Sequence, residues 1–467
     1  YYSNNRNIKR RSIQLMASTY LNIANPTVGD RQKGTISVWL KKTKINTTQY
    51  FVNERSDNNN MAWIAFSSSD KLNWGDQVSG VSQFEYTTNQ VFRDTSAWYH
   101  FVFAWDTTLA TASERVRTYV NGEEITSFAT TNNPSQNYSS NFSRGTTSYP
   151  AIIGRLDSGS NYFNGSMAHF HRVDGQQLTP STFGETDSTT GIWKPKTNPS
   201  ITYTGSSSFN YFLKFENTSD YGEDSSGQNN DFTVGGGTMT QTIDTPSNVF
   251  AVLNAINKGS NVTLGNGGTS YTTSDTWESA PSTLAFSKGK YYAEFKMTSD
   301  TSGSACELMI GIEPPGNESS FLNVYPGYSA DGVGYNSGGN KYVSNTATSY
   351  GNSYNNGDII GVAVDKDNGY VYFSKNGTWQ NSGDPTSGSS GTGGISIPSN
   401  TKAYYFVGSG YRSTTDATFQ TNFGNGYFGT TAVSSAGTNA GVGTFEYDVP
   451  SGYKALCTKN INAEEYS

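Results

Sequence analysis

Apolar and polar positions alternate with period two along most of the chain, and sustained helical periodicity is almost absent. In residues 35–40, Ile36, Val38 and Leu40 point one way and Thr35, Ser37 and Trp39 the other. Residues 98–105 are nearly all apolar or aromatic, which predicts a strand covered on both faces. Residues 115–120 alternate again and run into Asn121-Gly122. That pair predicts a type I′ hairpin, because both turn residues must accept positive φ, with Ile125 opening the return strand. Met167, His169, His171 and Val173 fall on one strand face, and Ala168, Phe170 and Arg172 on the other. After an Asp174-Gly175 turn, Thr179 and Pro180 mark the N-cap and first position of a single helical turn over residues 178–183.

Residues 198–248 are polar and Gly-rich, with one strand over 211–215, and read as a closing strand plus a linker. Pro246 marks a boundary. A second β pattern begins near Val249, and its clearest hairpin pairs residues 359–364 with 370–374. Asn376-Gly377 is a further turn, and residues 383–394 predict a long flexible surface loop. The halves share no short repeat, which disfavours a solenoid or propeller. The expected class is therefore all-β, with two tandem antiparallel β-sandwich domains of jelly-roll type, residues 1–245 and 246–467.

Composition agrees with that class. Aromatic residues reach 14% of the 467 positions, far above what a disordered chain carries, and 50 Gly serve many turns. The net charge is −7, so no basic surplus exists to engage a nucleic-acid backbone. No apolar run approaches membrane-spanning length, and membrane insertion is not expected. Cys306 and Cys457 are too few for a disulfide framework and are expected as buried thiols, leaving stability to packing. The chain opens on Tyr1 with no signal-peptide pattern, as it would if the start is processed or is not part of the ordered chain. Arg6, Lys9, Arg10 and Arg11 form a local basic cluster: a solvated segment, or an anchor onto an acidic partner.

Candidate chemistry is sparse. His169 and His171 are one strand step apart, but no third ligand has zinc spacing, and a structural role is expected. No nucleophile elbow or phosphate-binding Gly-Lys-Ser/Thr loop occurs, and no enzyme is expected. Glu123-Glu124 is expected to be exposed, and the Asp365, Asp367, Asn368 and Gly369 run to be a hairpin turn. Asp220, Glu223, Asp224 and Asp231 lie in a Ser-, Gly- and Asn-rich segment. It reads either as an Asx-rich turn bonding its own backbone or as a calcium loop, since hard oxygen ligands suit that ion. Aromatic residues beside Asn, Asp and Gly suit sugar stacking. The candidate sets are Trp63 with Asp70 and Trp74, and the Tyr-rich stretch 325–354, headed by Tyr325 and Tyr328. Asn137, Asn141 and Asn376 head glycosylation sequons.

The first domain resembles the laminin-G/concanavalin-A-like jelly roll in residues 35–40, 98–106, 115–122, 153–155 and 163–183. More specific runs resemble tailed-phage structural and tail-fibre proteins. These are Val173-Asp174-Gly175, Leu178-Thr179-Pro180, Phe183-Gly184-Glu185 and Gly191-Ile192-Trp193, with Asp224-Ser225-Ser226-Gly227, Asn230-Asp231-Phe232 and Asp244-Thr245-Pro246. The second domain resembles the SPRY fold in residues 289–295, 357–362, 371–379, 419–424, Phe445 and 453–457. The resemblance implies binding rather than catalysis. Laminin-G-like domains often take glycans, sometimes with calcium, and SPRY domains often take peptides. It implies a virion-surface or extracellular appendage (a fibre) that contacts other virion proteins and a host glycan or protein. A symmetric homo-oligomer, often a trimer in such proteins, is implied with it. A purely structural decoration subunit, a carbohydrate-active enzyme or accessory module, and a secreted adhesin are the competing readings.

Overall fold

The computed structural model describes residues 11–15, 18–188, 190–274, 276–299, 306–316, 318–412 and 416–465. Arg6, Lys9 and Arg10 of the basic cluster lie outside them. The chain divides into two compact units, Tyr1–Ser247 and Asn248–Ser467. Both are antiparallel β-sandwiches.

Alternation in the Lys33–Lys42 strand sets the first unit's layering. Ile36, Val38 and Leu40 enter the main core, where Phe101 and Phe103 of the Tyr99–Asp106 strand meet them in register. This sheet runs Glu123–Glu124, Val116–Val120, Tyr99–Asp106, Lys33–Lys42, Gly165–Asp174, Ser12–Leu15 and Thr240–Thr242, with Tyr211–Leu213 also pairing Gly165–Asp174. The facing sheet runs Phe128–Asn132, Val81–Val91, Lys71–Val78, Asn60–Phe66, Gln49–Asp57, Ala151–Ile153, Tyr20–Ile23 and Thr233–Gly235. Phe51, Phe66, Trp74, Phe84 and Tyr86 project from it into the shared core. The Asn121-Gly122 turn forms with both residues at positive φ, and the return strand begins at Glu123, two residues before Ile125.

The Gly165–Asp174 strand departs from simple alternation. His169 takes φ +47°, and the register with Lys33–Lys42 slips between Ala168 and His171. This bulge puts Met167 and Phe170 on the same core face, while Val173 joins a second cluster outside the sheet. Met167 and Val173 therefore do not share the face that strict alternation predicts. The second cluster explains why residues 98–105 are nearly all apolar or aromatic: Val102 and Tyr119 are covered from outside by Phe183, Leu178, Ile201 and Tyr203. The predicted helical turn is a 3-10 turn, Pro180–Thr182, and Thr179 makes no side-chain cap bond.

In the second unit a larger sheet is ordered Thr263–Gly265, Ser270–Thr273, Ala417–Asn422, Lys290–Met297, Ile359–Asp365, Tyr370–Lys375 and Thr378–Trp379. The predicted hairpin is present, with Asp365 opposite Tyr370 and Val364 opposite Val371. A six-stranded sheet packs on it: Glu278–Pro281, Tyr405–Arg412, Cys306–Glu313, Val333–Asn336, Asn340–Val343 and Thr346–Ser349. Leu308, Ile310, Ile312 and Phe406 face inward against Phe295, Val362 and Phe373. Cys306 and Cys457 are buried and not disulfide-bonded. The segment predicted as a flexible loop contains a 3-10 turn, Gly388–Ser390. It is braced by Asp384, which accepts bonds from both the backbone and the hydroxyl of Thr386.

Candidate functional site

The outer face of the six-stranded sheet is crossed by the segment that follows Cys306–Glu313. Two serines hold the crossing: Ser279 and Ser409 each donate a hydroxyl to the Val324 carbonyl at 2.9 Å. Glu313, fully buried, accepts from the Gly327 amide at 2.8 Å and the Ser329 hydroxyl at 2.6 Å. Burial pushes its carboxyl up to about 7 against the pull of those two donors. The approach is close because Gly334 has no side chain; a Cβ there would lie 2.0 Å from the Pro326 carbonyl.

This crossing places Tyr325 at the centre of an aromatic face. Its ring centroid lies 4.9 Å from Trp277, 5.5 Å from Tyr328 and 5.4 Å from Tyr342, all near edge-to-face. Trp277 in turn stacks on Tyr411 at 5.9 Å. All five rings are partly exposed, Tyr328 at 43%. The Tyr325 hydroxyl donates to Asn345 Oδ1 at 2.8 Å. Glu307 stands opposite Tyr411 in register and is half-buried. Burial and then Glu307 raise the Tyr342 phenol. Burial, neighbouring phenols and Glu307 raise that of Tyr325. Such a face can stack on a ligand through its rings and hydrogen-bond it through its phenols.

Sequence reasoning reached Tyr325 and Tyr328, and the structure brings them together. Tyr342 falls within the stretch 325–354 that it also marked; it missed Trp277, Glu307 and Tyr411, which come from three separate strands or strand ends. Only strand order and register unite them.

The other aromatic set separates. Trp74 is fully buried in the core, donating its indole N–H to Thr118 at 2.9 Å, so neither ring face is open to a sugar. Trp63 lies on the opposite face of the same sheet, packed over Gly75 and bonded to Asn73. Asp70 is fully buried between Lys42 at 2.8 Å and Arg93 at 3.1 Å. Adjacent strand residues point to opposite faces, and an ion-paired carboxylate has no free oxygen for a sugar, so the expected platform does not form.

The calcium candidates also diverge. Asp224 is saturated by donors: the Phe212, Ser226 and Asn230 amides at 2.9, 2.8 and 3.0 Å, and the Ser226 hydroxyl at 2.8 Å. Asp231 accepts the Asp224 amide and Asp220 accepts the Gly222 amide. Glu223 points to solvent. At Asp224, N–H and O–H donors occupy the lone pairs a cation needs, as in an Asx-rich turn. Asp220 and Asp231 do line one cleft of about 630 Å³ with Tyr221, Phe232 and Met239. Among the described residues no three His, Cys, Asp or Glu side chains converge as a metal set. No helix there is long and apolar enough to cross a membrane. The sequon residue Asn141 is buried and bonded to Asp76 at 2.7 Å, which removes it from the surface.

Two family models match the chain. The concanavalin A-like lectin/glucanases superfamily matches residues 15–182, and the SPRY domain matches residues 290–392. The chain thus carries a concanavalin A-like domain followed by a SPRY domain. Among curated proteins, the dual specificity protein kinase splA of Dictyostelium discoideum is 31% identical over 101 residues. That match covers 21% of this chain and 4% of the kinase, so the chain spans a small fraction of that relative. Among solved structures, the SPRY domain of human HERC1 is 16% identical, with TM-score 0.29, covering 36% of this chain and 96% of that one. A heptameric SAP-like pentraxin from Limulus polyphemus is 18% identical, with TM-score 0.30, covering 49% and 96%.

Proposed function

We propose that this chain is a ligand-binding adhesion protein of a virion surface appendage, and that the second unit's aromatic face contacts the host surface. The observation that carries the reading is the five-ring face around Tyr325, with its rings partly open to solvent. Aromatic anchors on a rigid sheet give contact area at low entropy cost, which is what a binding face needs. The concanavalin A-like and SPRY pairing supports a binding role, and the phage-like runs around residues 173–193 and 224–246 support the virion setting. A homo-oligomer, a trimer in the simplest fibre, multiplies a weak contact through avidity.

Two measurements test it. Purified virions from the source culture are expected to contain the chain. Labelled protein is expected to adsorb saturably to host cells, and the W277A/Y342A double variant to lose at least tenfold in apparent affinity, a loss of about 1.4 kcal/mol or more. Adsorption unchanged in a folded double variant overturns the assignment of the face. Absence from virions overturns the setting, and presence in virions without any adsorption points to decoration.

A further inference from the structure

Three rings stand across Tyr325: its plane meets those of Trp277, Tyr328 and Tyr342 at 66°, 86° and 73°. Two rings that meet near a right angle leave a notch bordered by a face of each. Ring faces carry the negative end of the aromatic quadrupole and draw a cation into such a notch. Glu307 adds a full negative charge on the same side of the sheet. It stands opposite Tyr411, whose ring stacks on Trp277, and its charge is felt at the phenols of both Tyr325 and Tyr342. Among the described residues no Lys or Arg pairs with it. Arg412 holds Asp416 at 2.7 Å, and Lys341 stands opposite Tyr335, on the other face of its strand from Tyr342.

The make-up of the face decides which cation it suits. A primary ammonium brings three N–H donors and a guanidinium five, and each needs an acceptor once water is displaced. Ring carbon supplies none, and Glu307 is the one carboxylate beside the rings. A quaternary ammonium has no N–H to satisfy, and its methyl groups spread the charge over a surface that packs on ring faces. Among the described residues Tyr328 is the one large apolar side chain of this face that is mostly open to solvent, at 43%. A lipid bilayer therefore finds neither an apolar patch nor a basic one to lie on, whereas a single headgroup needs only the notch.

We propose that the face around Tyr325 binds a quaternary ammonium group of the choline type, displayed on a polymer of the host surface. The cation seats against the Trp277, Tyr325 and Tyr342 rings, with Glu307 as its counter-charge. The proposal rests on the adhesion reading above and narrows its ligand to one chemical class. One such group is a weak ligand; repetition along a polymer, met by several copies of this chain, supplies the avidity.

The full chain, labelled with 5-fluorotryptophan and with Trp277 assigned through W277F, reports on the site by fluorine NMR. The probes are choline and its neutral isostere dimethylbutanol, which has carbon in place of the charged nitrogen. At constant ionic strength choline is expected to shift the Trp277 resonance saturably, and dimethylbutanol to bind about tenfold more weakly. Ethanolamine keeps the charge but brings N–H donors, and is expected to bind about fivefold more weakly than choline. The E307Q variant is expected to weaken choline about fivefold while leaving dimethylbutanol unchanged. Equal binding of choline and dimethylbutanol, or no saturable shift by choline, overturns the proposal; since the change is on the ligand, folding of a variant is not at issue. Dextran bearing phosphocholine is expected to block adsorption to host cells. Failure to block it, or co-sedimentation of the chain with phosphatidylcholine vesicles, overturns the polymer source. If choline fails while W277A/Y342A loses adsorption, the adhesion reading stands and the quaternary ammonium ligand falls. If W277A/Y342A adsorbs like the parent chain, the adhesion reading itself falls, whatever choline does at Trp277.

Discussion

Lys41 Nζ and the Asp244 carboxylate meet at 2.7 Å inside the first unit, with only 1% and 8% of their side chains exposed. The other Asp244 oxygen accepts the Trp98 indole N–H at 3.1 Å. Asp244 therefore ties the end of the first unit to a strand 203 residues earlier. Removing one partner of a buried pair leaves the other charge without compensation. Asp244→Ala is expected to cost about 3–5 kcal/mol by urea denaturation. The double change Lys41→Met with Asp244→Leu is expected to recover most of that. A single variant as stable as the parent contradicts the role.

His100 is buried against Trp39 and Trp193, and its ring nitrogens are both in use. Nδ1 accepts the Trp193 indole N–H at 2.9 Å, and Nε2 lies 2.8 Å from the Ser37 hydroxyl. An indole only donates, so the His100 proton sits on Nε2. Burial, then His169, lowers its pKa to about 3. Trp193→Phe leaves Nδ1 without a donor and is expected to cost about 1–3 kcal/mol. Nitrogen-15 NMR is expected to show His100 leaving the single neutral tautomer it holds in the parent. An unchanged tautomer and stability would sink this account.

Two of the second unit's buried carboxyls, Glu294 and Glu313, are each raised by burial to about 7 from 4.5. A raised carboxyl binds its proton more tightly in the folded state. Its contribution to stability is therefore present at low pH and is lost as pH rises from 4.5 to about 7. At about 1.4 kcal/mol per pH unit the loss is on the order of 3 kcal/mol for each group. Glu313→Gln keeps an acceptor for Gly327 and has nothing to titrate. Its melting temperature relative to the parent is expected to rise across that pH interval and to level off above it. Parallel curves for the two proteins would contradict the assignment.

The donor-saturated Asp224 makes a prediction about calcium. Millimolar calcium or a chelator is expected to leave the melting temperature of the full chain unchanged, because a ligand that does not bind cannot stabilise. Asp224→Ala is expected to cost about 1–3 kcal/mol by orphaning the Phe212 and Asn230 amides. A calcium-dependent rise of several degrees would overturn this.

Where local chemistry settles a conformation, the sequence was readable. Asn121-Gly122 turns because both residues take positive φ, and the Ile359–Asp365 hairpin pairs as its alternation suggests. The His169 bulge was not readable: a single φ reversal shifts every later side chain to the other face, and nothing in His-Phe-His announces it. The site was half visible. Tyr325 and Tyr328 are neighbours along the chain, whereas Trp277, Glu307 and Tyr411 join them only because Tyr405–Arg412 lies between Glu278–Pro281 and Cys306–Glu313. Trp63 and Trp74 misled for the converse reason. In so aromatic a chain most rings pack, and which ones stay open is decided by the opposing sheet.

The position of the Ser12–Leu15 strand bears on how the chain comes off the ribosome. It lies between Gly165–Asp174 and Thr240–Thr242, and Ser12 donates to the carbonyl of Asp244, 232 residues later. At 5–20 residues per second that partner appears roughly 10–50 s after the strand itself. Until Gly165–Asp174 emerges the strand carries open backbone groups on both edges, and until Thr240–Thr242 emerges on one, among nascent copies of the same chain on one message. Completing this strand's pairing therefore waits on translation, and the hazard during that wait is pairing between neighbouring chains.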